Sequence, residues 1–249
     1  MLWWEGALIA VAGLWAGAIN TVVGSGTLVT FPVLVALGHP PVTATTSNAV
    51  GLITGTITGA YGYRHELAGQ ARRVARYAVP SFLGAIGGTA LLLSLPRTAF
   101  EVIVPGLVAL SVVLVALQPL AAKRLRTRDP AKRHSGPLLY FLIFLIGVYG
   151  GYFTAAQGIM LVGVMGLLLT DSLQRLNAFK NTLTAVVNIV AGAIYAFIAP
   201  ISWPVVGILA ASSTLGGLLG AKVGRKLPPT ALRGTVVVIG VAAVVRLLV

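Results

Sequence analysis

A chain of 249 residues with 57% hydrophobic and 9% charged residues cannot have water as its main solvent, since soluble domains carry roughly 25% charged residues. The formal net charge of +13 would suggest nucleic acid in a soluble protein; here it becomes a question of which loops hold it, and no nucleic-acid partner is expected. The absence of cysteine excludes a disulfide framework, thiolate metal ligation and thiol redox chemistry.

The predicted elements begin at the N-terminus. Met1-Leu-Trp-Trp-Glu5 lacks the basic region of a cleavable signal, and its apolar run continues to about Ile19, so it reads as a first membrane helix that is retained. Residues 3–38 form a helical hairpin broken near 20–27, followed by helices over about 44–63, 74–95 and 99–119. A basic linker covers 121–137. Leu138 to about Ala156 then runs out, breaks at Gln157-Gly158, and returns over about 159–170. At about 1.5 Å per residue that return arm is short of a full span, so a re-entrant or half-length helix is expected.

Basic residues set the topology. Arg64, Arg72, Arg73 and Arg76 form one cluster, Lys123, Arg124, Arg126, Arg128, Lys132 and Arg133 a second, and Lys222, Arg225, Lys226 and Arg233 a third. With Arg175 and Lys180 these include every basic residue except Arg97 and Arg246. The positive-inside rule puts all four regions in the cytoplasm. The loops around 38–46 and 199–203 carry no Lys or Arg and face outside, with Trp203, Trp3 and Trp4 suited to the interface. Arg64, His65 and Arg175 read as topology anchors.

Sliding the sequence on itself by 133 or 134 positions places Gly13, Gly17 and Gly24 on Gly147, Gly151 and Gly158, and Asn48 on Asn181. One further shift places Gly84, Gly88 and Pro96 on Gly216, Gly220 and Pro228. The chain therefore divides into a first repeat at 1–120, the linker at 121–137 and a second repeat at 138–249. The predicted fold class is an all-α polytopic membrane protein made of two repeats, each a broken hairpin plus three helices. Five segments per repeat is an odd number, so the copies insert in opposite orientations with both termini outside, as in many secondary transporters.

The segments Asn20-Thr-Val-Val-Gly-Ser-Gly-Thr-Leu-Val-Thr-Phe-Pro32, Thr45-Thr-Ser-Asn48, Tyr149-Gly-Gly-Tyr-Phe-Thr-Ala-Ala-Gln-Gly-Ile-Met160 and Gln174-Arg-Leu-Asn-Ala-Phe-Lys-Asn181 resemble the TauE/SafE family of sulfite exporters. The resemblance covers essentially the whole chain. It implies export of sulfite or an organosulfonate across the cell inner membrane. The first break, Gly24-Ser25-Gly26, is poorer in glycine than is usual in that family, and Gly158 stands alone in the second.

The residues themselves place a site where helices break, since freed backbone groups are tolerated in a membrane only where they line a cavity. A half-helix N-terminus offers free N–H groups and a positive dipole end, which suits an oxyanion. The arm starting at Ser25 is one such terminus; Asn20, Thr21, Ser25 and Thr27 are candidate donors, with Thr154 and Gln157 their counterparts. The competing reading is that these small residues only allow close packing. A second constellation, Thr45, Thr46, Ser47 and Asn48, has its counterpart in Asn177, Lys180 and Asn181. Lys180 either holds the anion as a point charge or snorkels to the interface, and the asparagines either contact cargo or bridge helices.

Glu5, Glu66, Glu101, Asp129 and Asp171 are the only acids and fall at element ends or in loops, so no carboxylate proton relay is expected. An anion leaving a negative cytoplasm gains about 2.3 kcal/mol per charge per 100 mV, which makes uncoupled export feasible. The three histidines are isolated, with no paired nucleophile and no metal-ligand motif, so neither an enzyme nor a cofactor is expected. Glycines four apart would equally serve an assembly subunit; uptake and cation transport also remain open. Anionic lipid suits the basic loops, and a homo-oligomer is compatible with the sequence.

Overall fold

The computed structural model describes residues 2–126, 136–223 and 229–248, and among them every regular element is helical. In chain order these are α1 (Trp3–Val22), α2 (Thr27–Ala36), α3 (Pro41–Gly51), α4 (Ile53–Gly62), a 3-10 turn (Arg64–Leu67), α5 (Ala71–Ser94), α6 (Arg97–Arg126), α7 (Pro137–Tyr152), α8 (Gln157–Leu168), α9 (Leu173–Ile198), α10 (Trp203–Val223) and α11 (Pro229–Leu248). Five helices have the length and apolar character to cross a bilayer: Trp3–Val22, Ala71–Ser94, Thr98–Gln118, Leu173–Ile198 and Trp203–Lys222. Large apolar side chains such as Trp3, Val102 and Phe197 point outward, as expected when the surrounding solvent is lipid. This is a multi-pass membrane protein.

Local chemistry explains the element ends. Pro41 and Pro137 occupy first-turn positions of α3 and α7, where a missing N–H costs nothing. Gly38, at φ +86°, closes α2 while the His39 amide donates back to the Leu34 carbonyl at 3.1 Å, the left-handed ending that favours glycine. Ser172 caps α9 by accepting from the Arg175 amide at 3.3 Å.

Three expected boundaries differ. The helix expected over 44–63 is pinched at Leu52 into α3 and α4. Ser213 of α10 donates to the Gly51 carbonyl at 3.2 Å, and a side chain inserted into a helical ladder bends it. Helix α6 continues past 119 to Arg126, into the expected linker. Residues 127–135 of that linker lie outside the described residues, as do Arg225 and Lys226 of the third basic cluster. The second break falls at 153–156, not at Gln157-Gly158, because Gln157 is already the first residue of α8.

α2 and α8 are half-length helices of 10 and 12 residues, about 15–18 Å at the usual rise, against a hydrocarbon core of about 30 Å. Each follows a four-residue break, Val23–Gly26 after α1 and Phe153–Ala156 after α7. The breaks are thus 130 residues apart (from Val23 to Phe153), and the counterpart of Gly24 is Thr154. Helix contacts repeat in the same register. A side chain on Gly17 would strike the Ser213 carbonyl, and one on Gly147 the Ser81 carbonyl. Likewise Gly216 abuts Leu14 and Ala18, while Gly84 abuts Phe144 and Val148. The match of Gly24 to Gly158 is therefore one helical turn out. Glycines at every fourth position look alike after a shift of one turn, and sequence alone cannot separate the two registers.

The paired contacts also give relative directions. Along α1 and α10, Gly13 faces Leu209, Gly17 faces Ser213, and Gly220 faces Ala18, so both run the same way. Along α4 and α10, Gly55 faces Ser213 and Gly62 faces Ala221. In the other set, Gly84 meets Gly147 and Gly88 meets Val148, while Tyr77 packs on Phe179 and Ser81 reaches Leu183; α5, α7 and α9 are mutually parallel. α9 opposes α3 and α4: Gly192 rests on Val50 and Ile53, whereas Asn181, a few turns earlier, reaches Thr21, which in turn adjoins Gly59.

Candidate functional site

The two breaks meet. The Gly158 amide donates to the Gly24 carbonyl at 3.2 Å, and a methyl group on Gly24 would lie 2.7 Å from the Gly158 Cα. Gly24 has φ +94°, and Thr154 and Ala156 share the left-handed region at +56° and +58°. For the latter two this costs on the order of 1–3 kcal/mol each, and such strain concentrates at functional sites. Neither α2 nor α8 has a side-chain cap at its N-terminus. Apart from the Gly26 and Gly158 amides, which donate to Asn20 Oδ1 and the Gly24 carbonyl, their positive ends face the break contact.

Lys180 of α9 crosses this contact. Its side chain is 0% exposed, packs over Gly158, and donates from Nζ to the Asn20 and Thr21 carbonyls at 2.9 Å each. Both carbonyls belong to the last turn of α1, where the negative helix end favours a cation. An ammonium has three donors, so one N–H remains for a further acceptor. The described ion pairs both involve Asp171; none reaches Lys180. Two charge-assisted bonds are worth about 1.5–3 kcal/mol each, which only partly offsets the several kcal/mol needed to bury an ion.

Next in chain to the touching glycines are polar groups without partners. Ser25 and Gln157 are both 0% exposed, and the Ser25 hydroxyl and both amide atoms of Gln157 lack hydrogen bonds. Each stands next in sequence to one of the touching glycines. Gln157 packs against Gly150 of α7, where any larger residue would displace it. Phe153 and Ile159, in and just after the second break, are buried apolar residues, Phe153 meeting Phe31 edge-on at 5.1 Å.

The remaining candidates separate. Asn20 is half-buried and accepts from the Gly26 amide at 3.4 Å, tying off the first break. The Thr21 hydroxyl bonds back to the Gly17 carbonyl at 3.0 Å, and Asn181 donates to the Thr21 carbonyl at 3.3 Å. Asn48 is held in its own half: it donates to the Thr27 hydroxyl at 3.2 Å and accepts from Thr30, pinning α2 to α3. Ser47 accepts from the Ser202 amide at 2.9 Å and Thr46 donates to the Pro200 carbonyl at 2.6 Å, so both serve the α9–α10 loop. The Thr45 hydroxyl is buried without a partner. Asn177 and Thr154 are half-buried.

Sequence reasoning missed a latch below Lys180. Arg73 of α5 and Arg175 of α9 converge on Asp171, at 2.6 and 3.2 Å, and Arg73 lies 5.1 Å from the Phe179 ring. Burial pushes the Asp171 carboxyl up, but hydrogen bonds from Arg73 and Arg175 outweigh it and hold the group below the usual carboxylate range. The available signal was one acid among several arginines near the polar start of α9.

Comparison with known proteins agrees with this architecture. The family model for the sulfite exporter TauE/SafE matches residues 9–247. A probable membrane transporter protein of Haemophilus influenzae is 27% identical over 233 residues, 93% of this chain and 90% of that protein. A probable membrane transporter protein of a Sinorhizobium species is 24% identical, covering 97% and 92%. The probable membrane transporter protein YfcA of Escherichia coli is 28% identical, covering 89% and 80%.

Proposed function

Since the chain belongs to the sulfite exporter TauE/SafE family of membrane transporters, we propose that it exports a small oxyanion, sulfite or an organosulfonate, through a midplane site at the contact of its two helix breaks. The observation that carries this reading is the buried Lys180 ammonium, which has two backbone carbonyls and no carboxylate as partners. An anion at its third donor would complete the charge balance. Ser25, Gln157 and the uncapped starts of α2 and α8 would supply neutral donors.

Inverted repeats at 1–120 and 138–249, joined by a basic cytoplasmic linker, suit this mechanism. The opposed directions of the α1/α4/α10 and α5/α7/α9 sets support the inversion. With the basic loops inside, both termini lie outside the inner membrane. Rocking of one half against the other around the Gly24–Gly158 contact would give alternating access, and the membrane potential alone would drive an anion outward. The cargo leaves chemically unchanged. Anionic lipid at the basic loops and self-association are compatible with the reading.

The test is sulfite efflux from proteoliposomes of purified protein, at zero and at imposed potential. Wild type should exceed empty liposomes and respond to voltage, and Lys180→Gln should lower the flux about 10–100-fold, the worth of one charge-assisted contact. Flux that is unaffected by Lys180→Gln in a folded protein would sink the proposal.

A further inference from the structure

Charge counting at the break contact narrows the cargo. Four helix ends meet at the two breaks: the C-terminal ends of α1 and α7 and the N-terminal ends of α2 and α8. Each end carries roughly half a unit of charge, negative at a C-terminus and positive at an N-terminus, so the four sum to about zero. Among the described residues Lys180 is the only charged residue in the buried interior. With Lys180 protonated, the charge of the site is therefore about one positive unit.

Resting on the anion-site reading above, we propose that this site accepts oxyanions bearing a single negative charge and rejects dianions of the same size. A monoanion leaves the site neutral. A dianion leaves one uncompensated negative charge among buried apolar residues such as Phe153 and Ile159, where no water restores the lost hydration.

The neutral groups point the same way. The Gln157 amide, through Oε1, and the Ser25 hydroxyl offer acceptors as well as donors. The acceptors find a donor on an anion that carries one hydroxyl and none on an anion with acceptor oxygens on every side. Neutral donors bring no net charge, so they do not replace a second cation. By this account sulfite crosses as hydrogensulfite, and short alkyl monosulfonates follow, whereas sulfate and disulfonates do not.

Methanesulfonate and sulfate make the direct comparison. Both are tetrahedral and similar in size, both keep their charge at neutral pH, and they differ by one unit. Flux of each into wild-type proteoliposomes should favour methanesulfonate by at least about tenfold, with the same order in thermal stabilisation of the detergent-purified protein. Sulfate carried or bound as well as methanesulfonate would overturn the inference while leaving the anion site standing. If sulfite, methanesulfonate and sulfate all fail to move or bind, the anion site itself falls and this inference with it. Because wild-type protein carries the comparison, no variant has to fold.

Discussion

Gly24 and Gly158, from opposite halves of the chain, lie against each other so closely that neither has room for a Cβ: a methyl on either would come within 2.6–2.7 Å of the other's Cα. The contact joins the end of α1 to the start of α8 through the hydrogen bond from the Gly158 amide to the Gly24 carbonyl. It also sets the floor over which Lys180 reaches the carbonyls of α1. Gly24→Ala and Gly158→Ala should each lower the thermal stability of the purified protein, by about 1–3 kcal/mol from overpacking, with a left-handed backbone adding to the cost at Gly24. Gly163→Ala, in the same helix α8 with nothing within 4 Å, should be neutral or mildly stabilising. Equal melting temperatures for all three variants would contradict the packing.

Gln157 holds two unpartnered amide atoms in the interior, a burial that costs about 1–3 kcal/mol when unmet. Gln157→Met, of similar volume, should therefore raise the melting temperature and depress anion flux together. A variant that is less stable than wild type would show that the amide has partners in the protein after all.

Asn48 and Asn181 are matched by sequence but differ in their bonding. Asn48→Ala strips partners from both Thr27 and Thr30 and should cost about 1–3 kcal/mol of stability. Asn181→Ala removes a single 3.3 Å bond and should cost less, about 1 kcal/mol or below. Thermal melts of the two variants side by side decide the order.

Acid should open the Asp171 latch. Its folded-state pKa lies below the ordinary value of 3.8, so the native state binds the proton less readily than the unfolded state. The stabilisation is present above the unfolded pKa and is lost as pH falls through the folded one, that is, below pH about 3.8. Melting temperatures of wild type should fall in that range, while Asp171→Asn should start lower and lose the corresponding slope. Identical acid profiles would remove the latch from the stability account.

The sequence was most legible where residue type alone constrains the backbone. Gly24-Ser25-Gly26 located the first break, and the apolar runs located the long helices. The second break was displaced because Thr154 and Ala156 adopt left-handed backbone without being glycine, a conformation that only tertiary packing imposes. The sequence match of Gly24 to Gly158 is a turn away from the alignment of the two breaks, which sets Gly24 against Thr154. Lys180 reads from sequence either as a point charge for the anion or as an interfacial snorkel, yet its partners are carbonyls of Asn20 and Thr21, and backbone atoms leave no trace in residue type. The Arg73–Asp171 pair joins residues 98 positions apart from different halves, beyond the reach of local pattern.

The central claim, that the break contact is an anion site which alternating access opens to each side in turn, is tested most directly at Ser25. The chain has no cysteine, so Ser25→Cys introduces one thiol. In proteoliposomes that thiol should react with a small anionic methanethiosulfonate reagent faster than with a cationic one of similar size, and sulfite should slow the reaction. A thiol that stays unreactive in the folded protein, or one that prefers the cationic reagent and is indifferent to sulfite, would contradict the account.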